Sequence, residues 1–234
     1  MRFNGLAVAV VALFVFVSTP PAKAGFELTL SDGLGGSVTL NSVTGCSASL
    51  GTSGCGGAFI NSADGTATWI GYIGTFLLNV TTGITKPTLT HMDLNSVNVQ
   101  AGATGGNLTV TWSDTDWAGV GDFQMNAGGT MYGGTATYQA YYDSSNTLSA
   151  QTTLIGSMGP FNNGAFSGVL PGGISPGGTY SLTQKLTYAF GSWGVTSGNY
   201  ELMTTAVPES ASVAFIGASL LLAYEALRRR FRRG

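Results

Sequence analysis

Charged side chains are scarce in this chain. Only 9% of its 234 residues are Asp, Glu, Lys or Arg, and most of the basic ones lie near the two ends. The segment 25–206, which we call the body, has two lysines, nine carboxylates and no arginine, a net charge of −7. Nucleic-acid binding depends on Lys and Arg to neutralise phosphates, and anionic lipids repel acidic surfaces. The composition therefore argues against both as partners of the body.

Histidine is equally rare, and this limits the catalytic options. His91 is the sole histidine. It could act as a general base, but no G-x-S-x-G elbow accompanies it. Zinc sites built on histidine usually need more than one such ligand. We therefore expect a structural role for His91, and the sequence predicts no cofactor.

The first 24 residues have the pattern of a secretory signal peptide. Arg2 supplies a positive start, an apolar run of 13 residues covers 5–17, and Pro20 and Pro21 follow it. Residues 22–24, Ala-Lys-Ala, place small side chains at the −3 and −1 positions of a cleavage site. A retained membrane anchor is the alternative, although 13 residues are short for a membrane span.

The last stretch of the chain predicts a membrane helix. Residues 211–227 contain one charge, Glu225, and a helix of this length spans roughly 25 Å, the short end of a bilayer span. The cluster that follows should remain cytoplasmic; it consists of Arg228, Arg229, Arg230, Arg232 and Arg233. A buried C-terminal helix and a basic surface helix are the alternatives, but the run has no polar face.

The order of motifs in this tail is specific. Val207, Pro208 and Glu209 precede the apolar run, Ser210 follows them, and the arginines end the chain. Together they resemble the PEP-CTERM sorting signal of exported bacterial proteins, whose motif has a second proline at the position of Ser210. The resemblance implies export by the general secretion machinery and temporary anchoring in the inner membrane. It also implies cleavage near the motif by an exosortase, a membrane enzyme similar to cysteine transpeptidases. An association with extracellular polysaccharide or biofilm is implied as well.

Two cysteines close a short loop in the body. Cys46 and Cys55 are the only cysteines and bound a ten-residue segment. In an exported protein this pattern predicts one disulfide. A metal site with two thiolates is the alternative, but no third cysteine or nearby histidine supports it.

The hydrophobic pattern of the body repeats every two residues. In 107–113, Leu108, Val110 and Trp112 share one face and polar residues the other, as in half-buried antiparallel strands. Gly-rich turns separate about eleven such segments, which we place at 26–31, 37–43, 67–73, 76–81, 94–100, 107–113, 135–142, 148–155, 165–170, 180–190 and 200–204. No capped amphipathic helix is predicted. This pattern predicts an all-β body, a single β-sandwich or jelly roll, with a long glycine-rich loop over 115–134.

Three acids form the densest carboxylate cluster. Asp114, Asp116 and Asp122 could bind calcium through oxygen ligands. Their spacing does not match an EF-hand, because Ala118 and Met125 occupy two of its ligand positions. The alternative is an Asx-rich turn after a strand, and we predict no metal site.

Exposed tryptophans offer a different kind of site. Aromatic rings on a sheet can stack on the apolar faces of sugars. Trp117 lies in the predicted loop and is expected to be exposed, and Trp193 is the second candidate. The alternative is that the rings fill the core, which the alternation around Trp112 predicts for that residue.

These observations support three hypotheses. The first is an exported, non-enzymatic cell-surface or extracellular-matrix protein. The second is a carbohydrate-binding module, which needs exposed aromatic side chains. The third is a secreted hydrolase, which needs a cleft with two acids or with His91 and a partner.

Overall fold

A computed structural model describes residues 25–86, 91–119, 121–175 and 177–206. The signal-peptide prediction for 1–24 and the predictions for 207–234, including the sorting motif and the arginine cluster, lie outside these ranges. Within them, no helix has the length and apolar character to cross a membrane. The described residues contain one helical segment, the short 3-10 turn Gly54–Gly57.

Strands make up most of the described chain, and its one helical segment is a single short turn, which confirms the all-β prediction. In chain order they are β1 (Phe26–Ser31), β2 (Ser37–Asn41), β3 (Gly45–Ala48), β4 (Ala58–Asn61), β5 (Thr66–Ile73), β6 (Phe76–Ile84), β7 (His91–Ala101), β8 (Gly106–Trp117), β9 (Gly121–Asp143), β10 (Thr153–Ile174) and β11 (Tyr180–Ala206). All of them pair antiparallel in one sheet, in the order β3-β2-β1-β8-β11-β7-β6-β5-β4, with β9 beside β11 and β10 beside β9.

The long strand β11 divides this sheet into two parts. On one side it pairs first with β8, through residues 180–190, and then with β7, through 194–203. On its other side, β9 follows it along nearly its whole length. We call β3, β2, β1 and β8, with the adjoining parts of β11 and β9, the first wing. The second wing consists of β4, β5, β6 and β7 with the remaining parts of β11 and β9.

The two wings pack face to face around the core. Strand alternation turns Phe26, Leu28 and Leu30 of β1 inward, and all three are buried. Trp112 of β8 is also buried, as predicted, and its Nε1 donates to the carbonyl oxygen of Ile84 on β6 at 3.3 Å. Because β8 and β6 belong to different wings, this hydrogen bond crosses the core. The fold is therefore sandwich-like, formed by one sheet folded over on itself.

The predicted disulfide between Cys46 and Cys55 is confirmed. Their sulfur atoms are 2.04 Å apart, and their Cα atoms 5.9 Å apart. Cys46 lies on β3, the outermost strand of the first wing, and Cys55 in the turn before β4, the outermost strand of the second. The bond therefore links the two wings at the edge opposite the long strands. A loop of this size contributes roughly 2–3 kcal/mol on the chain-entropy model.

The predicted long loop over 115–134 is wrong. Strand β8 extends to Trp117, and β9 begins at Gly121. Glycine in these strands permits close packing: a Cβ on Gly134 would lie 2.7 Å from the ring of Phe190. Gly129, Gly133 and Gly134 are thus places where a side chain would not fit.

A second prediction, the strand over 148–155, is only partly right. Strand β10 begins at Thr153 and continues to Ile174. The preceding residues 144–152 are turns and irregular backbone, held by polar contacts to the first wing. The two short edge strands β3 and β4 were not predicted, because neither shows a clear alternation of buried and exposed residues.

Candidate functional site

The outer face of the first wing is partly covered by the segment 144–152. The backbone N–H of Ser149 donates to Oγ of Ser113 at 2.8 Å, and Ser149 Oγ donates to Glu27 Oε1 at 2.8 Å. Ser113 and Thr183 are completely buried beneath this segment, although both lie on the outward side of their strands. A ligand would find little of this part of the face open.

The outer face of the second wing presents exposed aromatic and aliphatic side chains instead. Tyr72 is 57% exposed, Tyr132 54%, Trp193 63% and Val195 47%. Exposed large apolar side chains that lie together mark interaction surfaces more often than scattered ones do. Their positions in the sheet therefore decide whether they form one surface.

The strand register aligns most of these side chains in one row. Tyr72 on β5 pairs with Leu77 on β6, Leu77 with Gln100 on β7, Gln100 with Val195 on β11, and Val195 with Tyr132 on β9. We call these five residues the aromatic row. Directly opposite side chains of neighbouring strands are close enough to touch. The row therefore crosses five strands as one continuous strip, with a tyrosine at each end.

Two shallow depressions lie along the aromatic row. One, of about 280 Å³, is lined by Tyr72, Leu77, Gln100 and Trp193, among others. The other, of about 380 Å³, shares Leu77 and Gln100 and adds Asn98 and Val195. Each depression thus combines apolar side chains with a side-chain amide.

A second row, which we call the polar row, crosses the same face farther along β11. It consists of Asp93 on β7, Glu201 on β11 and Asn126 on β9, in direct register. Glu201 is held from two sides: its Oε1 lies 3.0 Å from Nε2 of His91, and its Oε2 accepts a hydrogen bond from Nδ2 of Asn126 at 2.8 Å. A depression of about 390 Å³ lies over this row.

The carboxyl group of Asp93 is unusual in its electrostatics. Partial burial raises the pKa of Asp93 to about 6, and the negative charge of Glu201 raises it further than His91 lowers it. Two acids that face each other on neighbouring strands repel when both are ionised. The negative charge of the polar row is therefore only partly compensated by its neighbours.

The two rows are parts of one elongated face. Val195 and Glu201 are separated by six residues of β11, which corresponds to roughly 20 Å along an extended strand. Between them, Ser197 and Asn199 of β11 also point outward and are exposed. The face therefore offers ring surfaces at one end, side-chain amides and hydroxyls in the middle, and carboxylates at the other end.

Such a surface is suited to binding an extended polar polymer more than to cleaving one. Glycoside hydrolysis needs two carboxyl groups on opposite sides of the scissile bond. Asp93 and Glu201 instead project side by side from neighbouring strands of one sheet face. The hydrolase hypothesis also allowed His91 with a partner. That partner is Glu201, one of the same two acids.

The prediction that Trp117 is exposed is wrong. Its side chain is 6% exposed, because β8 continues through this position and Lys86 lies over the ring with Nζ 4.6 Å from its centroid. Trp193, the other candidate, is exposed and lies beside Tyr72 in the smaller depression. Of the two tryptophans proposed from sequence, only Trp193 belongs to the outer face.

The three acids considered for calcium have separate surroundings. Asp114 is fully buried, and its Oδ2 accepts from Oγ1 of Thr85 at 2.7 Å. Asp116 accepts from Nδ2 of Asn146 at 2.7 Å, and Asp122 lies at the start of β9, near Gly173. Within the ranges that the structure describes, no three His, Cys, Asp or Glu side chains are grouped to hold a metal ion.

Asp114 is instead part of a buried polar cluster in the core. Its Oδ2 lies 3.6 Å from Nζ of Lys86, which also donates to the carbonyl oxygen of Thr115 at 2.6 Å. Burial raises the pKa of Asp114 to about 6 despite this lysine, and burial also lowers the pKa of Lys86. Both shifts show that desolvation outweighs the attraction between the two charges.

Sequence reasoning missed most of the outer face. Tyr72, Tyr132, Asp93 and Glu201 were not singled out, because each is unremarkable in its own strand. Alternation along β7 and β11 could have shown that Asp93 and Glu201 point outward. It could not have shown that they lie opposite each other, since this depends on strand pairing.

Known proteins similar to this chain are found among solved structures. No protein-family model matches the sequence, and no curated protein does. Among solved structures, the chain is similar to the enzymatically active domain of tailspike protein 4 of bacteriophage CBA120, with a TM-score of 0.36 and 14% identity over 47% of this chain. It spans only 15% of that tailspike chain.

Two further similarities are to carbohydrate-binding modules. The C-terminal CBM6 of a laminarinase from Zobellia galactanivorans gives a TM-score of 0.27 and 12% identity, over 48% of this chain and 88% of the module. A CBM61 module solved with β-1,4-galactotriose gives 0.30 and 13%, over 47% of this chain and 70% of that one. In each case about half of the chain is matched.

Proposed function

We propose that the protein is an exported, non-enzymatic cell-surface or matrix protein whose body binds polysaccharide on the outer face of the second wing. The observation that carries this proposal is the aromatic row: Tyr72 and Tyr132 bound a strip of outward-facing side chains across five strands, with Trp193 beside it. Exposed rings on a rigid sheet can stack on sugar faces without reorganising the protein.

The polar side chains of the face complement the rings. Sugar hydroxyls both donate and accept hydrogen bonds, and Gln100, Asn98 and Asn199 can do the same through their amide groups. These three residues lead along β11 from the aromatic row toward the polar row. A glycan that contacts them would therefore run in this direction. An elongated, shallow face suits an extended polymer chain better than a small molecule, which usually binds in an enclosed pocket.

Export is the second part of the proposal. The disulfide between Cys46 and Cys55 is typical of oxidising compartments. The signal-peptide pattern and the tail resembling a PEP-CTERM signal both direct the body across the inner membrane. We propose that an exosortase then removes the tail, which leaves the body at the cell surface or in an extracellular polysaccharide matrix.

Binding can be measured on the oxidised body, residues 25–206. We expect retardation in gels containing soluble neutral polysaccharides, and calorimetric affinity for oligosaccharides of the polymer that retards it most. Replacing Trp193 by alanine should weaken binding about tenfold or more, because a well-packed aromatic anchor contributes about 1–2 kcal/mol or more. Tyr72→Ala should have a similar effect, since Tyr72 lines the same depression.

The matched control is Tyr141→Ala, which removes the same side chain from the outer face of the first wing. We expect it to leave the affinity unchanged. Equal losses in Tyr72→Ala and Tyr141→Ala, or no binding to any polysaccharide, would contradict the proposed site. Shorter oligosaccharides appearing in the mixture over time would instead support the hydrolase hypothesis.

Processing of the tail can be read from the mass of the secreted protein. When the full chain is produced in a bacterium that has an exosortase, we expect a C-terminus near residues 207–210 and an N-terminus at Gly25. Deleting the terminal arginine cluster should leave the unprocessed chain in the membrane fraction. Secretion of a protein that retains Arg228–Arg233 would show that sorting does not occur in this way.

A further inference from the structure

The charges of the outer face all have one sign, apart from what His91 contributes. Asp93 and Glu201 occupy the polar row. The two lysines of the body lie elsewhere: Lys86 reaches the buried Asp114, and Lys185 on the first wing donates to Gln151 at 3.0 Å. Since the body contains no arginine, the described part of this face has no permanent cation to meet an acidic sugar.

The polar row places two carboxylates side by side, and hydrogen bonds orient one of them. Asp93 and Glu201 pair directly across β7 and β11. Asn126 orients Glu201, and Gln124 in turn donates to Oδ1 of Asn126 at 2.8 Å. Partial burial, and to a smaller extent the negative charge of Glu201, raise the pKa of Asp93. A cation placed between the two carboxylates would relieve their mutual repulsion and gain charge-assisted hydrogen bonds.

Different sugars would meet this pair with different consequences. A carboxylated or sulfated glycan would be repelled by it. A neutral glycan would gain ordinary hydrogen bonds but leave the repulsion in place. A glycan with free amino groups would present ammonium groups, which are the complement of paired carboxylates, while its ring faces could still stack on the aromatic row.

We infer that the ligand of this face is a polysaccharide with free amino groups, which stacks on the aromatic row and places an ammonium group between Asp93 and Glu201. This inference rests on the proposed function and specifies its ligand. The two rows are roughly 20 Å apart along β11, so one oligosaccharide can reach both. The rings therefore contribute affinity for glycans in general, and the two acids contribute specificity for those with amino groups.

The test compares two oligosaccharides with the same backbone. Chitosan oligomers carry free amino groups, and fully N-acetylated chitin oligomers of equal length do not. By calorimetry at pH 6.5 and low salt, we expect the wild-type body to bind the chitosan oligomer at least tenfold more tightly. Raising the salt concentration should reduce this preference, because charge attraction on an open face is screened.

Substitutions separate the roles of the two rows. Asp93→Asn with Glu201→Gln keeps the shapes and removes both charges, so the preference for chitosan should disappear while binding that depends on Trp193 persists. Asp64→Asn, which removes a charge from the turn before β5, should keep the preference. Melting temperatures equal to that of the wild type would confirm that both variants remain folded.

The outcomes distinguish this inference from the proposed function. Equal affinity for the two oligomers, or a preference for the acetylated one, overturns the amine inference but leaves polysaccharide binding intact if Trp193→Ala still weakens it. A preference for chitosan that survives in the double variant also overturns it, since the attraction then lies elsewhere. Absence of binding to these oligomers and to every neutral polysaccharide overturns both.

Discussion

Replacing Lys86 by methionine is expected to lower the free energy of unfolding by about 3–5 kcal/mol at pH 7.5, because it leaves a buried carboxylate without its cation. Asp114 is fully buried, and Nζ of Lys86 is the cation nearest to it, 3.6 Å from Oδ2. Methionine retains most of the apolar stem that packs beside Trp117 but neither pairs with Asp114 nor donates to Thr115. Urea denaturation followed by tryptophan fluorescence measures the change.

The deficit should depend on pH in a defined direction. Burial raises the pKa of Asp114 to about 6, above its ordinary value of about 3.9, so ionisation in the folded state costs stability as the pH rises from about 4 past 6. Without Lys86 that pKa rises further and the cost grows. The variant should therefore approach the wild type near pH 4 and fall below it at pH 7.5.

Two further variants make this prediction specific. Lys185→Met removes the other lysine of the body, which is partly exposed and donates to Gln151, and should change stability by no more than about 0.5 kcal/mol. Adding Asp114→Asn to Lys86→Met should recover part of the loss at pH 7.5, because no buried charge remains. A deficit of the same size at pH 4 and pH 7.5 would show that packing, and not charge, explains it.

The strands could be predicted where local alternation determines which residues are buried. The predicted segment 26–31 matches β1, and Phe26, Leu28 and Leu30 are buried as its pattern indicates. The disulfide followed from the rarity of cysteine and the predicted export. In both cases the information lies within a few residues of the chain, where composition and spacing decide the outcome.

The aromatic row could not be predicted in this way, because it depends on pairing between distant strands. Tyr72 and Tyr132 belong to the same strip only because β5, β6, β7, β11 and β9 stand in that order and register. A shift of one residue in any of these strands would turn its side chain into the core. No local pattern fixes the register of strands so far apart in sequence.

The glycines of 115–134 have a different role from the one that their number predicts. The segment is rich in glycine, which predicts a loop that contains Trp117. In the sheet, glycines instead allow neighbouring strands and aromatic rings to approach closely, as at Gly134 beside Phe190. Glycine at such a position therefore indicates close packing. The same close packing is found at Gly83 on β6.

Replacing Gly83 by alanine is expected to lower the free energy of unfolding by about 3 kcal/mol. A Cβ at this position would lie 2.5 Å from Cδ2 of Trp112, inside van der Waals contact. The ring cannot yield easily, because Trp112 is fully buried, packs against Phe26 and donates to the carbonyl oxygen of Ile84. The measurement is the urea midpoint of the oxidised body.

The control for a glycine in a strand is Gly128→Ala on β9. A Cβ there would meet nothing closer than the carbonyl oxygen of Phe166 at 4.0 Å, so reduced freedom of the unfolded chain should leave stability unchanged or slightly higher. In a Trp112→Phe background, the cost of Gly83→Ala should shrink, since the smaller ring leaves room for the methyl group. An equal cost in both backgrounds would locate the strain in the backbone of β6. A smaller cost in the Phe background would mean that Gly83 is needed because Trp112 of the first wing packs directly on β6 of the second, a contact between the two wings across the core.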